Sequence, residues 1–182
     1  ACPDEKDTEV FKRIKMIVVS VLFASGIPFF HEGQEIGHSK NGKSNTYNTG
    51  DKDNGFDYQL LAERKDLYHF FIEAIALKKK FISIMKDNYL DLPSHMSFVN
   101  LANGALRIDY EASDSVISFV YNPTNDSIMC DFEDYVRLVF NDTGSVEDSE
   151  FFIRLAIIPS KTVSVFLKKK AGTLSSWKEN EK

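Results

Sequence analysis

The sequence predicts an α+β fold: a helix–strand–loop–helix segment over residues 1–82, a linker at 83–93, and an antiparallel β-sandwich over 94–182. Three observations predict it. Apolar residues recur at helical spacing in two stretches of the first half. Beyond the linker the apolar period changes from about 3.6 to about 2. Asn, Asp, Gly and Pro then punctuate the chain at short, regular intervals, as turns between strands do.

The first helix is expected from Asp7 to Ala24, with Asp7 or Thr8 as its cap and Glu9 in its first turn. Val10, Ile14, Ile17 and Val21 mark one face. Its second half, Met16 to Ala24, is apolar almost all round and therefore needs cover on most sides. Gly26 can end the helix in a left-handed conformation, and Ile27-Pro-Phe-Phe30 then reads as a short apolar strand. A helix joined by a Gly turn to such a strand is half of a parallel-sheet unit, whose partner strands lie elsewhere. A polar loop follows from His31 to Phe56, long enough to suggest function. The next helix, Tyr58 to Phe81, should bury Leu60, Leu67, Phe71 and Ala74 and expose Lys65, Asp66, His69 and Glu73.

Seven strands are expected after the linker: Phe98–Leu101, Ala105–Tyr110, Val116–Tyr121, Ile128–Phe132, Tyr135–Phe140, Phe151–Ile158 and Thr162–Leu167. Asn103-Gly104 is a hairpin turn, and Asn122-Pro123 and Asp142-Thr-Gly144 mark others.

Composition excludes several classes. An apolar content of 43% suits a globular chain, and a net charge of −5 without a basic stripe argues against a nucleic-acid partner. Lys78–Lys80 and Lys168–Lys170 each close an apolar segment as solvated ends. The run Met16 to Phe30 is broken by Ser25-Gly-Ile-Pro28 and is too short to cross a membrane. Cys2 and Cys130 cannot define a disulfide framework, and Cys130 reads as a buried hydrophobe. The His spacing fits no metal, so neither metal nor cofactor is expected. Two sequons, at Asn125 and Asn141, lie in Asn/Asp-rich turns where they arise easily by chance. The chain starts without Met and reads as a piece of something larger.

The chemistry concentrates in Gly26-Ile-Pro-Phe-Phe-His-Glu-Gly-Gln-Glu-Ile-Gly37. Polar groups after a parallel strand stand at its carboxyl end, which in an α/β barrel faces the active site. This segment resembles the eighth barrel strand of glycoside hydrolase family 13, the α-amylase family, and most of all that of type I pullulanases. The resemblance continues through Lys40-Asn-Gly-Lys-Ser-Asn-Thr-Tyr-Asn48 and Asn54-Gly-Phe-Asp-Tyr58 to Ile75-Ala-Leu-Lys-Lys79. Gly55 stands where the family usually has Gln, Tyr58 where it has Trp, and Thr46 where it has Ser.

The resemblance implies that residues 1–82 are the terminal helix, strand, loop and helix of a (β/α)8 TIM barrel, followed by a C-terminal sandwich. It implies an α-glucan such as pullulan, glycogen or starch as the partner of the whole enzyme, which would hydrolyse α-1,6 bonds. His31, Glu32, Asn45, Tyr47, Asn54 and Asp57 would then line the substrate cleft, with Gln34 and Glu35 bracing its rim. A retaining glycosidase needs two carboxyl groups about 5 Å apart across the scissile bond. The family's catalytic carboxylates all match positions upstream of Ala1, so no residue here is assigned to catalysis and the chain alone is expected to be inactive. Glu32 and Glu35, on one turn, cannot flank a bond from opposite sides. The alternatives are a non-catalytic carbohydrate-binding or structural sandwich module, or part of another α-amylase-family enzyme. Trp177 alone is a weak sugar-binding signal. The helix at Met16 to Ala24, short of barrel neighbours, is expected to self-associate or to be partly disordered.

Overall fold

The computed structural model of the chain describes residues 6–24, 26–82, 95–146 and 151–170. Cys2, Trp177 and the linker expected at 83–93 lie outside the described residues. Helix α1 spans Asp7–Phe23 and buries Val18, Val19, Leu22 and Phe23. No side chain caps its start, in contrast to the expected Asp7 or Thr8 cap. Glu9 instead reaches Lys12 at 3.0 Å and Lys161 at 2.8 Å, which ties the first turn of α1 to the distant turn before the last strand.

The expected strand Ile27–Phe30 does not form; these residues belong to no ladder, with Ile27 92% and Phe29 85% exposed. A lone parallel strand has no neighbour to receive its ladder, and none of the sheet's edges lies against this one. Phe30 packs inward, edge-on to Phe71 with ring centres 5.8 Å apart.

The expected loop carries two short 3₁₀ turns, Gln34–Ile36 and Lys40–Gly42, and a one-turn helix, α2, at Asp51–Asn54. The single helix expected at 58–81 is two, α3 at Tyr58–Glu63 and α4 at Lys65–Lys80, broken at Arg64 (φ −115°, ψ 39°). Arg64 Nη1 donates to the carbonyls of Ile36 (2.9 Å) and Gly37 (3.0 Å), and its guanidinium stacks 4.9 Å from the Phe11 ring centre. The break lets α4 set its own face: Leu67, Phe70, Phe71, Ala74 and Leu77 are buried, whereas Leu60 on α3 stays half-buried.

The strands are β1 Met96–Asn100, β2 Leu106–Glu111, β3 Ser115–Asn122, β4 Ile128–Asn141, β5 Gly144–Ser145, β6 Ile153–Ile158 and β7 Thr162–Lys169. All pairings are antiparallel, in the order β1-β2-β3-β7-β4-β5. Two expected strands, Ile128–Phe132 and Tyr135–Phe140, are one: β4 runs through both. Its first half pairs with β6 and its second with β7, with a register shift between Asp131 and Val136 where it passes from one layer to the other. Phe151 and Phe152 precede β6 and are exposed.

Three layers result. Helices α1 and α4 cover one face of the sheet, where Phe23, Phe70, Ile117, Phe119, Phe140 and Val165 form the larger core. The β4–β6 ribbon covers the other, over Val120, Phe166, Cys130, Phe132, Ala156 and Ile158. Cys130 is fully buried, and that burial pushes its thiol pKa up. The second layer of the expected sandwich is thus only two strands wide. One side of the apolar half of α1 finds cover within the chain: Phe23 lies 4.5 Å from Phe119, and Tyr110 Oη donates to Phe23 O at 2.5 Å.

Replacing Phe23 by Ala should cost about 3–5 kcal/mol, because it removes a fully buried ring from the helix–sheet core. Chemical denaturation read by far-UV circular dichroism measures it. Arg64→Ala should cost about 1–3 kcal/mol by leaving the carbonyl of buried Ile36 without its donor. Hydrogen exchange should then quicken at residues 34–38 and remain slow in the sheet.

Candidate functional site

Residues 31–57 form a folded-down loop rather than an open one. Its anchor is Ile36, fully buried against the helices, with Gly33 and Gly37 in left-handed conformations on either side. Gly33 has φ +87°, and a Cβ there would lie 2.9 Å from the Cβ of His38, so the tight turn has room for glycine alone. Gln34 and Glu35 sit on this turn and are half-buried. His31 and Glu32 stand just before it, exposed, with His31 Nδ1 2.6 Å from Glu32 O.

The second part of the loop hangs on Asn54. Its Oδ1 accepts from Lys40 Nζ (2.9 Å) and Thr46 Oγ1 (2.8 Å), and its Nδ2 donates to Thr46 O (2.6 Å) and Gly50 O (3.3 Å). An amide has two acceptor sites and two donors, so Asn54 is fully committed to holding the loop. Beside it Asp53, only 2% exposed, accepts from Lys43 Nζ at 2.6 Å. Asp57 caps α3, accepting from the amides of Gln59 (2.9 Å) and Leu60 (3.0 Å).

This scaffold presents Asn45 and Tyr47 to solvent. Asn45 Oδ1 accepts weakly from Tyr47 N at 3.3 Å, and Tyr47 is 85% exposed. Of the eight residues singled out from the sequence, Asn54 and Asp57 hold the backbone, Gln34 and Glu35 sit in the turn, and His31, Glu32, Asn45 and Tyr47 are exposed. Sequence reasoning missed Arg64, Asp53 and Lys43, which fix the loop. A buried Asp in a polar loop leaves no periodic signal, though Arg64 within an otherwise regular helix pattern was a visible irregularity. Exposed amides, a carboxylate and an aromatic face suit a neutral hydroxyl-bearing ligand. Among the described residues no group of three or more His, Cys, Asp or Glu could hold a metal, and no helix is long and apolar enough to cross a membrane.

No family model matches the chain. It is 29% identical over 101 residues to a pullulanase of Bacillus subtilis, a match that takes in 56% of this chain and 14% of that one. Its fold matches the type I pullulanase of Bacillus subtilis solved with maltose, with a TM-score of 0.83 at 21% identity over 92% of this chain and 25% of that one. The pullulanase of Bacillus acidopullulyticus gives 0.79 at 20% over 92% and 22%, and that of Anoxybacillus solved with maltotetraose gives 0.73 at 22% over 90% and 24%. The chain therefore spans a quarter or less of the length of these relatives. In sequence and in fold alike, it is similar to the pullulanases.

Proposed function

We propose that this chain is the C-terminal part of an α-glucan debranching glycoside hydrolase that cleaves α-1,6 bonds in pullulan, glycogen or starch. Residues 1–82 are read as the last helix, strand, loop and helix of a (β/α)8 barrel, and residues 94–182 as the β domain that buttresses it. The observation that carries the reading is an ordered set of three motifs, Gly26–Glu35, Lys40–Asn48 and Asn54–Tyr58, on a chain whose fold matches pullulanases over nine-tenths of its length.

Two surfaces support it. The first is Ile27 and Phe29, exposed on a stretch with the composition of a barrel strand, which neighbouring parallel strands would pair and bury. The second is an apolar groove of about 820 Å³ between α1 and the β1–β2 hairpin, lined by Met16, Ile17, Phe98, Ile108 and Tyr121. Barrel helices would cover both.

In this reading the chain shapes the cleft and the rest of the enzyme runs the reaction. Tyr47 stacks on a glucosyl ring, and Asn45, His31 and Glu32 hydrogen-bond its hydroxyls. Asn54 and Asp57 keep the loop in shape, and Gln34 and Glu35 brace the rim. The nucleophile and the acid/base stand on preceding strands, because two carboxyl groups must flank the bond about 5 Å apart.

Digestion of pullulan by the whole enzyme should release maltotriose; cleavage of α-1,4 bonds alone would sink the reading. Residues 1–182 purified alone should show no turnover. In the whole enzyme, Tyr47→Ala should raise KM for pullulan about 2- to 12-fold, the equivalent of an aromatic contact worth about 0.5–1.5 kcal/mol, with kcat nearly unchanged.

A further inference from the structure

The β4–β6 ribbon is an unfinished layer. Among the described residues β6 pairs with β4 alone, so its other edge carries backbone donors and acceptors with no strand beside them. Edge strands are usually blunted by Lys, Pro or a bulge. Strand β6, Ile153-Arg-Leu-Ala-Ile-Ile158, contains neither Lys nor Pro. Its one charge is engaged with its own ribbon: the Arg154 guanidinium lies 6.0 Å from the ring centre of Tyr135 on β4. The outward face of the ribbon is apolar as well. Met129 and Ile157 stand directly opposite one another and share that face, 67% and 72% exposed. Leu155 lies two residues along the strand at 55%, and exposed Phe151 and Phe152 lead into it. Barrel helices over α1 and its groove would leave this surface open, because the helices and the ribbon cover opposite faces of the main sheet.

The register in which this edge can meet a copy of itself is narrow. Two copies of one strand pair antiparallel about a two-fold axis, and opposed residues must point to the same face. An axis through Leu155 sets Leu155 against its own copy, Ile153 against Ile157, and Arg154 against Ala156. Moving the axis to Arg154 would oppose two guanidinium groups. Moving it to Ala156 would oppose Ile153 to Pro159, which has no N–H for a ladder. The central register joins apolar to apolar along the outward face. It also turns two ribbons of two strands into one layer of four, ordered β4-β6-β6-β4, within the commonest range of sheet widths. The exposed apolar side chains of two copies can together bury about 1,200 Å², the lower end of stable interfaces.

We infer that β6 is an interface between two copies of this chain, formed by antiparallel β6–β6 pairing about a two-fold axis at Leu155. The inference is independent of the α-glucan reading.

The test is analytical ultracentrifugation of the 182-residue chain over a concentration series, with far-UV circular dichroism and the thermal midpoint of dilute protein as checks on folding. The wild type should pass from monomer to dimer as concentration rises. Leu155→Lys and Leu155→Glu should each weaken the dimer at least tenfold, because like charges then face each other across the axis. Both changes fall at an exposed position, so the dilute chains should keep the wild-type spectrum and midpoint. An equimolar mixture of the two opposes unlike charges and should associate more tightly than either alone. Ile157→Lys, opposite the partner's Ile153, should weaken the dimer without touching the central position. Phe98→Lys, in the groove beside α1, should leave it unchanged. A chain monomeric at every concentration, a dimer that survives Leu155→Lys and Ile157→Lys, a dimer lost in Phe98→Lys, or a mixture no tighter than its components would each overturn the inference.

Discussion

The seat of Phe23 on the sheet is the contact on which the rest of the structure depends. Strand β3 is buried along most of its length on both faces, as is β7, so each face of the sheet must be covered. The β4–β6 ribbon covers one side and α1 the other, with Phe23 against Phe119 and its carbonyl held by Tyr110. Burial of this kind is worth more than any one polar contact in the chain, because it removes whole aromatic rings from water. Once α1 is seated, α4 is held against both α1 and the sheet, Phe70 packing 5.1 Å from Phe140. The amide of Ser145 donates to the carboxylate of Glu73 and ties α4 to the β5 hairpin.

The loop inherits its position from that packing. Arg64 leaves the start of α4, lies over Phe11 of α1 and holds the carbonyls of Ile36 and Gly37. Ile36 is thereby fixed, and the turn around it sets where the chain leaves toward Asn45 and Tyr47. An exposed aromatic ring is useful for binding only if its backbone is held still, since ordering it on contact would consume the gain. The fourfold engagement of Asn54 and the bond from Lys43 to buried Asp53 supply that stillness locally.

Much of this was legible in the sequence, for reasons that differ by element. The two long helices carry an amphipathic period strong enough to identify without partners, and Asn103-Gly104 announces its hairpin. Ile27-Pro-Phe-Phe30 was read as a strand because apolar runs look the same whether or not a neighbour exists, and pairing is a property of the neighbour. Strand β4 was read as two because Glu133, Asp134 and Tyr135 interrupt its alternation; those residues are the exposed bend by which one strand serves two layers. The motif residues were legible as a group, but their division of labour was not. Whether an Asn faces a ligand or clamps its own loop is decided by what lies within 3 Å of its amide, and spacing along the chain does not encode that.

Two open surfaces of the molecule ask for different occupants, and the difference follows from what each leaves unsatisfied. The groove beside α1 exposes Ile17 and Phe98, both apolar and neither with a hydrogen-bonding need. Such a surface gains from any dry cover of the right shape, and in the proposed reading barrel helices provide it. The face of the sheet away from the helices has the reverse character where β1–β2–β3 meet the bend of β4. Its apolar residues are already used: Phe132 is packed against Phe166 and beneath Arg107. What remains is charged and largely paired, Arg107 with Asp109, Lys168 with Asp134 and Lys170 with Glu111. Apolar cover there would strip water from those ion pairs, so of the two the groove beside α1 is the surface that gains from a dry partner.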